Sequence, residues 1–72
     1  MSMTGIKQQI ELYVEIRYKT DRAVLLSDGV VEGWIPLSQL NEDSYAEIED
    51  GEIGDGLEIS IPEWLAKDKG FI

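Results

Sequence analysis

The chain has neither cysteine nor histidine. Without cysteine there is no disulfide, no thiolate nucleophile and no thiolate metal site. Without histidine the usual general base and commonest metal ligand is missing as well. Zinc would have to bind through carboxylates alone, against its preference for nitrogen and sulfur donors. No Ser–His or Ser–Lys arrangement can be built from the sequence, and fifteen carboxylates with no pair singled out are no signal for acid–base work. The expectation is a chain that is not an enzyme and carries no metal and no cofactor.

Long apolar runs are missing too. No segment approaches the roughly 20 residues of a membrane-spanning helix. The opening MSMTGIKQQI has Lys7 as its one base and no apolar core directly behind it, so it does not read as a secretory signal. Together with the lack of cysteine this points to the cytoplasm. At 72 residues the chain is one small domain, of a size that buries only about 60% of its unfolded surface. Its core must be compact or shared with a second copy. With a single phenylalanine available, Trp34 and Trp64 are expected inside that core.

Positive charge is scarce: six bases stand against fifteen acids, for a net charge of −9. The imbalance is concentrated. Asn41 to Glu58 holds eight acids (Glu42, Asp43, Glu47, Glu49, Asp50, Glu52, Asp55 and Glu58) and no base, while the remainder holds seven acids and six bases. Such a segment repels phosphate backbones and favours basic partners. It can be a solvated loop that keeps the chain soluble, a surface for a basic protein, or a sharper form of the second, an imitation of a nucleic-acid backbone. Asp50 to Gly56 is rich in oxygen ligands but lacks the spacing and terminal glutamate of a calcium loop.

The pattern along the chain is mainly β. Ile10, Leu12, Val14, Ile16 and Tyr18 alternate with Glu11, Tyr13, Glu15 and Arg17, the period of a half-buried strand. Lys19 to Asp21 breaks it. Arg22 to Leu26 has little polar relief and predicts a central strand. Ser27-Asp28-Gly29 predicts a hairpin turn, with Gly supplying the positive φ. Val30 to Ile35 is the third strand, in which Gly33 marks a bulge or a close backbone approach and Trp34 could close one end of a barrel. Pro36 ends the strand, and Leu37 to Leu40 predicts one helical turn.

The segment 41–56 is expected to be an exposed acidic connection with at most one helical turn, at Tyr45 to Ile48. Leu57, Ile59 and Ile61 predict a fourth strand. A helix over Pro62 to Lys69 follows, with Pro62 at its first position and Gly70 as C-cap. Trp64, Leu65 and Phe71 are its expected anchors, and residues 1–9 are expected to be loose. The expected fold is a small OB-like or SH3-like barrel, or a curved antiparallel sheet of about four strands, with a short C-terminal helix.

Two resemblances add to this reading. Asp28 to Leu40 (DGVVEGWIPLSQL) and Ile53 to Ile61 (IGDGLEISI) resemble stretches of the ribosomal S-one type RNA-binding domain, which implies an OB fold. That family stacks bases on aromatics of its second and third strands and carries a histidine in the third. Here the second strand offers Arg22, Ala23 and Val24, and Pro36 falls near the histidine position. The resemblance therefore implies fold more than RNA binding.

The pattern RAVLL, WIPLSQL, IPEWLA and Lys69-Gly70 also resembles small uncharacterised phage and prophage proteins, which implies expression in bacterial cytoplasm. The leading expectation is a non-enzymatic phage-type protein that binds a basic protein or nucleic-acid-binding complex of the host. One form of it is a DNA mimic that inhibits a defence complex, as anti-CRISPR and anti-restriction proteins do. The partner-binding residues would be Glu42, Asp43, Glu47, Glu49, Asp50, Glu52 and Asp55. The alternative is an OB-like module for single-stranded RNA or DNA, using Tyr13, Arg17, Arg22 and Trp34. A homodimer through a strand edge is the further partner considered.

Overall fold

A computed structural model describes residues 8–72. Of the loose N-terminus expected over 1–9, residues 1–7 lie outside the described residues, while the Gln8 carbonyl accepts from the Glu63 N–H at 2.8 Å and Gln9 already begins the first strand. The elements are β1 (Gln9–Lys19), β2 (Ala23–Ser27), β3 (Glu32–Pro36), a 3-10 turn (Leu37–Gln39), α1 (Glu42–Asp50), β4 (Gly56–Pro62) and α2 (Glu63–Lys69). The strands form one antiparallel sheet in the order β3-β2-β1-β4. This is the spatial order of a Greek key, in which the fourth strand returns to lie beside the first. The sheet is curved and stays open: of the two architectures expected, the barrel is not formed. The predicted central position of the second strand holds.

β1 serves both halves of the sheet. Gln9 to Glu15 pairs with β4, and Glu15 to Lys19 pairs with β2. Ile16 faces Leu26 while Tyr18 faces Leu25, so Arg17 is an extra residue and the strand is bulged there. A bulge reverses the alternation beyond it. Tyr18 therefore lies on the outer face, not on the apolar face with Ile10 to Ile16, and Lys19 takes the inner phase opposite Val24.

The inner face carries the core: Val14, Ile16, Val24, Leu26, Ile35, Ile59 and Ile61 are buried, with Leu37, Ile48, Leu65, Ala66 and Phe71 packed on them. α2 lies across this face and touches β1, β3 and β4, both edge strands included. Its C-cap is Gly70 at φ +85°, as expected. Pro62 is the last residue of β4 and the N-cap of α2, one position before the predicted one. Gly33 is a close approach: a Cβ there would come within 3.0 Å of the Lys69 Cβ.

Neither tryptophan is in the core. Trp64 is 55% exposed and Trp34 is 43% exposed. Leu65 and Ala66 present the inward side of α2, which turns Trp64 to solvent. Strand alternation puts Gly33 and Ile35 inward and Trp34 outward.

The hairpin turn is held by Asp28. Its Oδ1 accepts from the N–H groups of Val30 (2.8 Å) and Val31 (2.9 Å). These bonds, that of Val31 first, hold its carboxyl below the ordinary aspartate range.

The acidic segment is where expectation and structure part most. Glu42–Asp50 is a nine-residue helix. Asn41 caps it, accepting from the Ser44 N–H at 2.8 Å, and Glu42 and Asp43 sit at the positive end of the helix dipole. Ser44 and Ile48, one turn apart, are its buried residues. The Ser44 hydroxyl accepts from the Ser60 N–H (2.8 Å) and donates to the Ser60 carbonyl (3.3 Å). Both groups belong to the free edge of β4, so α1 covers an edge that would otherwise invite pairing with another chain. The loop after α1 is tied to β1: Gly54 N–H donates to Ile16 O (2.7 Å) and Ile16 N–H to Asp55 O (2.9 Å).

Candidate functional site

α1 turns one line of carboxylates outward. Asp43, Glu47 and Asp50 follow one another at spacings of four and three, which places them on one helix face. Because Ser44 fixes α1 against β4, this line stands beside Glu58 of β4 and Glu11 of β1. Glu11, Asp43, Glu47 and Glu58, with Asn41, Ser44, Ile59 and Ser60, line an open groove of about 200 Å³. A second concavity on α1 is bounded by Asp43, Ala46, Glu47 and Asp50.

Of the seven expected partner-binding residues, the structure gathers Asp43, Glu47 and Asp50. Glu42 and Glu49 are exposed on α1 without lining the groove. Glu52 and Asp55 belong to the following loop, where the Asp55 carboxylate accepts from the Glu52 N–H at 2.9 Å. Glu11 and Glu58 were not among the expected residues. Strand alternation does put Glu11 on the polar face, but only the β1–β4 pairing brings it to α1.

The ion pairs among the described residues lie elsewhere. Arg17 joins Glu15 and Glu32, each at 3.1 Å, and Lys69 approaches Asp68 at 3.8 Å. Lys19 reaches α1, and it binds the backbone. Its Nζ donates to the carbonyls of Ile48 (3.0 Å) and Gly51 (2.7 Å) at the helix's negative end. Among the described residues no three carboxylates converge on a metal position.

The alternative set meets on the outer face of the sheet, apart from Arg22. Tyr18, Leu25 and Trp34 are aligned across β1, β2 and β3, and the Tyr18 and Trp34 rings meet edge to face at 6.3 Å. Tyr13, 71% exposed, stands opposite Glu58 and leans over Gly56. Arg17 lies on this face between Glu15 and Glu32, which raise its pKa, Glu15 first. Arg22 lies exposed in the β1–β2 turn. Simple alternation puts Tyr18 on the core side; the bulge at Arg17 turns it outward and adds its ring to this face. Among the described residues this face carries Glu11, Glu15, Glu32 and Glu58 against Arg17, a net negative balance. The chain matches no protein-family model, no curated protein and no solved structure.

Proposed function

We propose that the chain is a non-enzymatic interaction protein that binds a basic protein surface through α1 and the adjoining rim of β4 and β1. The observation that carries this reading is the groove: four carboxylates from three elements, Glu11, Asp43, Glu47 and Glu58, face one opening with no basic side chain among the described residues that line it. A solvated loop would not need its charges in register with two strands. The hydrogen bonds of Ser44 and Lys19 hold the charges on a docked helix, so less ordering entropy is lost on binding than from a free acidic loop. A regular line of charge on a helix is also what a backbone mimic requires, and inhibition of a host nucleic-acid-binding complex is the sharpest form of the proposal.

Two charge-matched variants test it. Asp43→Asn/Glu47→Gln/Asp50→Asn should weaken retention of the partner captured from bacterial lysate by about tenfold or more, at roughly 1 kcal/mol or less for each carboxylate at the rim of the interface. Asp21→Asn/Glu63→Gln/Asp68→Asn removes equal charge outside α1 and the groove and should retain it. Equal loss in both variants would show that bulk charge, not placement, governs capture, and would contradict the proposal.

The crowding has a cost for the free protein. Raising NaCl from low to moderate concentration should raise the melting temperature, on the order of a few degrees, by screening repulsion along α1. A falling melting temperature would show that the acids are stabilised by pairing instead.

A further inference from the structure

We infer that the aromatic outer face of the sheet is a second part of the docking surface, and that its occupant is an arginine-bearing segment of the basic partner. The inference rests on the partner being basic and adds what that partner must present. Three observations support it together. Tyr18 and Trp34 are 54% and 43% exposed and make an edge-to-face pair. With Leu25 between them, they leave π-surface open on the solvent side of three adjacent strands. The same face is net negative, which suits a cation and opposes a polyanion. It runs on along β1 through Tyr13, opposite Glu58, to the carboxylate groove, so one extended segment following β1 would meet both.

Arginine fits this combination better than lysine. Its guanidinium is planar, stacks on aromatic faces and pairs with carboxylates in a fork. The chain's own Arg17 shows the match on this very face, with its Nε on Glu32 and its Nη1 on Glu15.

The test uses the full chain in a Trp64→Phe background, so that Trp34 is the one fluorophore of its kind. The probes are an alternating Gly-Arg dodecapeptide, its Gly-Lys counterpart and a dT12 oligonucleotide, each titrated at low salt. The Gly-Arg peptide should change Trp34 emission and bind more tightly than the Gly-Lys peptide. Trp34→Leu and Tyr18→Leu, followed by a labelled peptide, should each weaken binding by about 2- to 30-fold, the range of a cation–π contact. Melting curves show whether each variant is folded. Both side chains lie on the solvent face, so either variant can carry the test alone. If Asp43→Asn/Glu47→Gln/Asp50→Asn loses the peptide while Trp34→Leu and Tyr18→Leu keep it fully, this inference is overturned and the proposed function stands. If the unaltered chain binds neither peptide, both are overturned. Binding of dT12 that Trp34→Leu abolishes would make the face a nucleic-acid platform and overturn the inference as well.

Discussion

Replacing Ile48 with alanine should destabilise the protein by about 2–5 kcal/mol, the usual range for truncating a buried aliphatic side chain. Ile48 is 1% exposed and belongs to the core cluster. It is the one large apolar side chain by which α1 is buried, since the helix's other buried residue is Ser44. The loss is therefore not confined to a cavity. A nine-residue helix is marginal in water by itself, and once it lifts, the Ser60 N–H and carbonyl on the β4 edge lose their partner. Domains are stable by about 5–15 kcal/mol, with small ones at the lower end, so the variant should be close to unfolding at ambient temperature. Urea denaturation followed by circular dichroism measures it. A loss below about 1 kcal/mol would mean that α1 contributes little to the native state, and the placement of its carboxylates would lose its foundation.

Lys19→Met should cost about 1.5–3 kcal/mol, the range for hydrogen bonds to a charged group. The ammonium is the cation at the C-terminal end of α1, where Glu49 and Asp50 oppose the helix dipole and the last turn has no base of its own. Methionine keeps the aliphatic stem and removes the donors. Lys67→Met changes net charge equally and serves as the control, with an expected effect within about 0.5 kcal/mol for an exposed position. Similar melting temperatures for the two variants would show that Lys19 acts only through overall charge. Lys19→Met should also lower peptide binding beyond its effect on stability, because the helix it releases carries Asp43, Glu47 and Asp50.

Both residues show where the sequence was readable. The four strands were legible because Ile10 to Ile16 and Leu57 to Ile61 alternate cleanly, and Asp28-Gly29 permits little but a turn. The bulge was hidden. Arg17, Tyr18 and Lys19 can each sit on either side of a sheet, so nothing local signals that the alternation reverses. With that reversal went the outward position of Tyr18 and the inward reach of Lys19. The helix α1 was masked by its composition: one isoleucine and one serine form its buried stripe, too narrow to register as amphipathic among so many acids. The usable signal was at its start, where Asn41 followed by Glu42 and Asp43 is an N-cap with acids in the first turn. The carboxylates of α1 were legible as a charge run. Their grouping with Glu11 and Glu58 was not, because it depends on the long-range pairing of β1 with β4.

The direct test of the central claim is capture of partners from bacterial lysate by the tagged chain, with and without nuclease. A basic protein retained after nuclease treatment, and released when Asp43, Glu47 and Asp50 are neutralised, is the result expected here. Nucleic acid retained without nuclease, and all binding lost with it, would contradict the account and return the outer face to the nucleic-acid reading.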